Sequence, residues 1–213
     1  KGGYAPTELF IGCDDVTVEG NRDPIGRNTI VNAAAAPAQD RIFDVLPNID
    51  DMGTPDPMDD VFVSSNVNIT VDGLTLANGL PMRPVLGTET GGAAGAMLIL
   101  NCDNVVLSNN TFRDNSTLSH GFVGGAVYFA TYATEVGVFN PGTLTLDSNL
   151  FEDNSTGNGT TASGWGGAFG ARDFNADGVS IARGTVVNAT NNVFRNNRAS
   201  GSMRGGMARP LAQ

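Results

Sequence analysis

The sequence predicts an all-β protein, a parallel β-helix with three short strands per coil, and three observations carry that expectation. An eleven-residue unit, Val105-Val-Leu-Ser-Asn-Asn-Thr-Phe-Arg-Asp-Asn115, returns without a gap as Leu144 to Asn154 and again as Val187 to Asn197. A second motif alternates with it, at Gly91-Gly-Ala93, Gly124-Gly-Ala126, Gly166-Gly-Ala168 and Gly205-Gly-Met207. Composition agrees: 28 glycines and 22 asparagines stand in 213 residues, against five glutamates and one lysine, so turn formers abound and helix formers are scarce. Hydrophobic residues make up 40% and arrive in short alternating runs, which argues against disorder.

Each element of the unit follows from its residues. Val105/Leu107, Leu144/Leu146 and Val187/Ala189 alternate with polar residues, the pattern of a strand with one buried face. A two-residue step follows: Asn109-Asn110, Ser148-Asn149 or Asn191-Asn192. Weaker copies at Ile69–Leu76 and Val16–Asn21 carry Gly73 and Gly20 at its first position. Asn and Gly tolerate left-handed backbone best, so the step reads as a sharp turn. A short strand carrying Phe112, Phe151 or Phe194 comes next, then a second turn at Asn115, Asn154 and Asn197. After a variable loop, Gly-Gly-Ala opens a third strand such as Ala126–Ala130. Stacked units bury like on like, and their asparagines form side-chain amide ladders. An antiparallel sandwich, the competing architecture, would not return the same residue at the same offset in every unit.

Charge and residue counts exclude several functions. Twelve basic residues against 22 acidic ones give a net charge of −10, the wrong sign for a nucleic-acid partner. No apolar run is long enough to insert this segment in a membrane. One histidine and two cysteines rule out an ordinary zinc site. A Ser-His-Asp triad would depend on His120, which lies in a Gly- and Ser-rich stretch and reads as a solvated loop residue. The chain opens at Lys1-Gly-Gly, which suggests one trimmed β-helix fragment spanning 1–213, with irregular N-terminal coils over 1–60 and regular coils over 61–207.

The alternating Gly-Gly-Ala and Phe-x-x-Asn motifs resemble those of the polymorphic outer-membrane protein family and related right-handed β-helix surface proteins. Arg41-Ile-Phe-Asp-Val45 and the segment Val67 to Gly79 are similar to the first coils of such bacterial domains. The resemblance covers 61–207 well and 11–60 loosely. It implies a right-handed helix and an extracellular or cell-surface location of bacterial type, with several relatives acting as adhesins.

Stacking would turn repeats into columns. Arg113, Glu152 and Arg195 would alternate in sign as a favourable ladder. Asp114 and Asp153, with Asn196, would set two carboxylates on neighbouring coils, and Glu19 and Asp72 would form a second such pair. Cys13 and Cys102 occupy equivalent positions with Asn66 between them, about 10 Å apart and beyond the roughly 7 Å reach of a disulfide. Two unpaired, mostly buried thiols are predicted. Asp173-Phe-Asn-Ala-Asp-Gly178 and Val179 have EF-hand-like spacing, so Asp173, Asn175, Asp177 and the Val179 carbonyl are candidate Ca²⁺ ligands. Gly184 stands where the bidentate acid belongs, and an Asx-rich turn explains the same residues equally well. Asp50, Asp51, Asp56, Asp59 and Asp60 read as a solvating insertion. Six Asn-x-Ser/Thr sequons begin at Asn68, Asn109, Asn115, Asn154, Asn158 and Asn188; composition accounts for most of them.

The functional expectation is a non-catalytic surface module for adhesion, display or assembly. It would meet other protein chains or surface glycans through variable loops at 79–90, 116–123, 131–142 and 155–165. Residues 1–60 hold 12 acids and 4 bases and residues 172–213 hold 2 acids and 6 arginines, which suggests head-to-tail self-association. The alternative is a polysaccharide lyase or glycoside hydrolase using Asp114 and Asp153 with Arg113 or Arg195 beside them. Trp165, Tyr128, Phe129 and Tyr132 would be its sugar-stacking surface.

Overall fold

In the computed structural model, residues 9–11, 15–21, 29–35, 41–45, 49–50, 61–62, 68–81, 94–117, 124–132, 142–156, 166–174, 180–181 and 185–199 are described. Among them the chain forms β-strands, one 3-10 turn at Ala33–Ala35 and no α-helix. The first sheet is built in parallel from β1 (Leu9–Ile11), β4 (Phe43–Val45), β9 (Met97–Leu100), β13 (Val127–Tyr132) and β17 (Phe169–Phe174), with β18 (Ser180–Ile181) antiparallel on its edge. The second is β2 (Val16–Glu19), β7 (Asn68–Asp72), β10 (Asn104–Ser108), β14 (Thr143–Asp147) and β19 (Val186–Thr190). The third is β3 (Thr29–Asn32), β8 (Leu74–Ala77), β11 (Thr111–Arg113), β15 (Leu150–Glu152) and β20 (Val193–Arg195). A narrow fourth sheet joins β12 (Ser116–Thr117), β16 (Ser155–Thr156) and β21 (Arg198–Ala199), and β5 (Ile49–Asp50) pairs antiparallel with β6 (Val61–Phe62).

The chain visits the first, second and third sheets in turn, five times over, so that each strand pairs with the equivalent strand of the next circuit. The parallel pairing excludes the antiparallel sandwich. In the last three circuits the two-residue strands β12, β16 and β21 add a fourth element to the three expected from sequence.

Register follows the repeat. Val16, Ile69, Val105, Leu144 and Val187 form one column, and Val18, Val71, Leu107, Leu146 and Ala189 form another. On the third sheet the column is Val31, Leu76, Phe112, Phe151 and Phe194. The rings of Phe112 and Phe151 stack at 4.8 Å, and those of Phe151 and Phe194 at 4.7 Å, matching the strand spacing that brings them together. β7, β10 and β14 alternate buried with part-exposed residues, leaving the outer face of the second sheet open. β9 is buried throughout, so both faces of the first sheet are covered there, the usual condition of a parallel sheet.

The first turn is as expected: Asn109, Ser148 and Asn191 have φ of 54°, 57° and 55°, and Gly73 has 70°. Gly20 is the exception, lacking a left-handed φ. The second turn lies one residue earlier than the repeat suggested. Asp114, Asp153 and Asn196 carry the left-handed φ of 55°, 56° and 55°, and the asparagine after each turns inward.

Those inward asparagines form two ladders. Asn110, Asn149 and Asn192 make one; Asn115, Asn154 and Asn197 make the other. The Asn154 Oδ1 accepts from the Asn115 backbone N–H at 3.1 Å and from its Nδ2 at 3.0 Å. The Asn154 Nδ2 donates to the Asn197 Oδ1 and the Phe112 carbonyl, each at 2.9 Å. All four hydrogen-bonding sites of the amide are used, which is what lets it sit fully buried.

The Gly-Gly motif needs one correction. Register places Ala94-Gly95-Ala96, and not Gly91-Gly92-Ala93, opposite Gly124-Gly125-Ala126 and Gly166-Gly167-Ala168. The first position takes left-handed backbone, with φ of 56° at Ala94, 71° at Gly124 and 63° at Gly166. The second faces the backbone of the next circuit: a Cβ at Gly125 would lie 1.9 Å from the Gly167 carbonyl oxygen. Residues 91–93 lie outside the described residues.

Candidate functional site

The charged residues of the third sheet are set by the turn that follows it. Arg113, Glu152 and Arg195 are register partners, as expected. The ladder is only half made: Arg195 Nη2 reaches Glu152 Oε1 at 2.7 Å, whereas Arg113 Nε lies 3.4 Å from Asp114 of its own circuit. The hydrogen bond from Arg195 holds the Glu152 carboxyl below its ordinary range, and the charges of Arg195 and Arg113 add to that effect.

Asp114 and Asp153 follow register-paired residues and therefore stand one strand spacing apart, about 4.8 Å. A retaining glycosidase needs its two carboxyl groups roughly 5–5.5 Å apart, a side-chain distance that backbone register alone does not set. Their surroundings differ from such a site. Both are exposed, both occupy the left-handed turn position that Asp tolerates, and Arg113 lies against Asp114.

On the second sheet Glu19 and Asp72 are paired, as expected, but Asp72 is held from the other side. Its Oδ1 accepts from Ser108 Oγ at 2.6 Å and Asn109 Nδ2 at 2.7 Å. Asp147 repeats the arrangement two circuits on, accepting from Thr190 Oγ1 at 2.6 Å and Asn191 Nδ2 at 3.1 Å. Those bonds hold Asp147 below the usual carboxylate range. Each acid thus ties its circuit to the next.

Of the candidate Ca²⁺ ligands, Asp173 lies on β17, where its backbone is paired with Thr131 and Ile181. Asn175, Asp177 and Val179 lie outside the described residues, as do His120, Trp165 and Cys13. Among the described residues no three His, Cys, Asp or Glu side chains cluster as a metal site. Tyr128 and Phe129, expected at a sugar-stacking surface, are instead fully buried, because both faces of the first sheet are covered. Cys102 is free and buried, and burial, with Asp103 beside it, pushes its thiol far above the ordinary range. Two sequon asparagines, Asn115 and Asn154, are buried in the ladder with their amides fully engaged and unavailable to a glycan.

One charged pair was not foreseen. Arg41 and Asp44 are both buried and form an ion pair, with Arg41 Nε also donating to the Ala94 carbonyl at 3.1 Å. The only sequence signal was their three-residue spacing. In a β-strand context that spacing does not itself bring two side chains together. The pair ties the second circuit to the left-handed turn at Ala94.

Comparison with known proteins adds no identification: no protein-family model, curated protein or solved structure matches the chain.

Proposed function

We propose that this chain is a right-handed parallel β-helix of the polymorphic outer-membrane protein type. In this reading it works as a non-catalytic extracellular or cell-surface module for adhesion, display or assembly. The five-fold return of the chain to the same sheets, in register, is the observation that supports the solenoid. The functional reading is supported by the use made of the chemistry-bearing side chains. Asp114 and Asp153 serve a backbone turn, Asp72 and Asp147 accept bonds from the next circuit, and the buried asparagines saturate one another. That leaves recognition to the loops between circuits, which would meet another protein or a surface glycan.

The test is a glycan array and a binding assay on intact cells, run beside a variant with residues 118–123 replaced by a Gly/Ser linker. Binding that is lost in the variant, with an unchanged melting temperature, supports loop recognition. Cleavage of an acidic polysaccharide, seen as the ultraviolet absorbance of unsaturated ends or as new reducing ends, would favour a lyase or hydrolase. Abolition of that activity by Asp153→Asn in a folded protein would overturn the reading.

A further inference from the structure

Asn78 and Gly79 follow β8 in the second circuit, and two separate demands put them side by side. Ala77 is the register partner of Arg113, so Asn78 stands in the turn column of Asp114, Asp153 and Asn196. It takes the same left-handed backbone, with φ of 62°. Gly79 stands in the column of the second asparagine ladder. It is buried, its N–H donates to the Asn115 Oδ1 at 2.9 Å, and a Cβ on it would lie 1.9 Å from the Gly95 carbonyl oxygen. The turn favours Asn and the close approach demands Gly. Together they make the one Asn-Gly sequence among the described residues.

We propose that Asn78 is a site of spontaneous deamidation, held closed by the folded stack and released whenever the first three circuits part. Glycine has no Cβ to shield its nitrogen, which leaves an Asn-Gly pair in a free chain open to cyclisation. Solvent base takes the Gly79 amide proton, and the nitrogen attacks the Asn78 Cγ. The N–Cγ bond forms, the Cγ–Nδ2 bond breaks, and Nδ2 leaves as ammonia with a proton from water. Water then opens the resulting succinimide at either carbonyl, to leave Asp or iso-Asp at position 78.

Both flanking circuits hold the reacting groups. The attacking nitrogen keeps its proton on the Asn115 Oδ1, in the third circuit. The departing Nδ2 donates to the Asn32 Oδ1 at 2.9 Å, in the first. The Asn78 backbone N–H donates to the Arg113 carbonyl at 3.2 Å, which fixes the turn itself. Neither product fits what the stack requires. Iso-Asp adds a methylene to the backbone just before Gly79, which has no room to shift against Gly95. Asp puts a carboxylate one strand spacing from Asp114, in a column that Asp153 already continues. An opening that lasts long enough for the reaction is therefore recorded in the chain and impairs its return to register. This inference stands on the turn and ladder geometry, independently of what the loops bind.

Peptide mass mapping of the full chain after timed incubation in mildly alkaline buffer, with and without urea, tests it. The readouts are the mass gain of amide-to-acid conversion at Asn78 and the chromatographic separation of its Asp and iso-Asp forms. Conversion in the folded protein should be slower than in urea by about tenfold or more, since it must wait for the stack to open. Asn115→Ala, checked for folding by circular dichroism, should speed the folded-state reaction about fivefold through the loss of one hydrogen bond. Asn78→Gly keeps the left-handed turn and removes the amide. After the same time in urea and dilution, it should regain its full melting transition while the wild type loses amplitude in proportion to its iso-Asp. Equal rates of Asn78 conversion with and without urea overturn the proposal, as does an Asn78 that stays intact in urea. A wild type that refolds as fully as Asn78→Gly despite accumulated iso-Asp overturns the consequence drawn for the stack.

Discussion

Asn154→Ala is the sharpest probe of the stack. Four hydrogen bonds run through this side chain: two accepted from Asn115, one donated to the Phe112 carbonyl and one donated to Asn197. Truncation leaves the Asn115 backbone N–H, its Nδ2 and the Phe112 carbonyl each one partner short, in residues that are fully buried. An unsatisfied buried group costs about 1–3 kcal/mol, so the three together exceed about 3 kcal/mol even after water enters the space left by the amide. Asn197→Ala removes three bonds of the same kind, but on the half-buried fifth circuit, where water replaces them. Its expected cost is about 1 kcal/mol. Urea unfolding followed by far-ultraviolet circular dichroism gives both values from the midpoints and slopes. If Asn154→Ala costs no more than Asn197→Ala, the ladder does not carry the stability argued for it.

Gly125→Ala should destabilise by about 3 kcal/mol, read from the same urea curves, since the new methyl meets the Gly167 carbonyl oxygen and the circuits must part. Glu152 has a carboxyl held below its ordinary 4.5 by Arg195, so it contributes stability that is present above that value. That contribution is lost as pH falls through the lowered value. Melting temperatures of the wild type and Glu152→Gln should therefore converge on the acid side, and an unchanged gap across the range would refute the linkage. Cys102 should resist alkylation in the folded protein and react once unfolded, with no Cys13–Cys102 disulfide in a non-reducing peptide map, because β7 separates β2 from β10. A calcium titration followed by calorimetry decides between the two readings of Asp173, Asn175 and Asp177: a rise in melting temperature that Asp177→Asn abolishes marks a Ca²⁺ site. No change on adding a chelator would reduce those residues to a turn.

Repetition made most of the stack legible from the sequence. In a stack with parallel register, residues at equal offsets become neighbours, so Val105, Leu144 and Val187, or Phe112, Phe151 and Phe194, announce their own contacts. The same logic anticipated the asparagine ladders and the separation of β2 from β10. It failed where the signal was degenerate. Gly91-Gly92-Ala93 looks like the motif, yet Ala94-Gly95-Ala96 fills its place, because the second position demands glycine while the first accepts a strained alanine.

Sequence alone therefore determined the all-β class, the unit that repeats, its register and its apolar columns, since these follow from which residue recurs at which offset. Only the tertiary structure decided which neighbour each polar group chose. Arg113 lies against Asp114 of its own circuit while Arg195 takes Glu152, and Asp72 is bonded by Ser108 and Asn109. Such choices depend on side-chain reach among several partners at comparable distance, which offset does not encode. Burial of Tyr128, Phe129 and the Arg41–Asp44 pair was likewise a tertiary result. Alternation along a strand marks one buried face, but whether the other is also covered depends on what packs there.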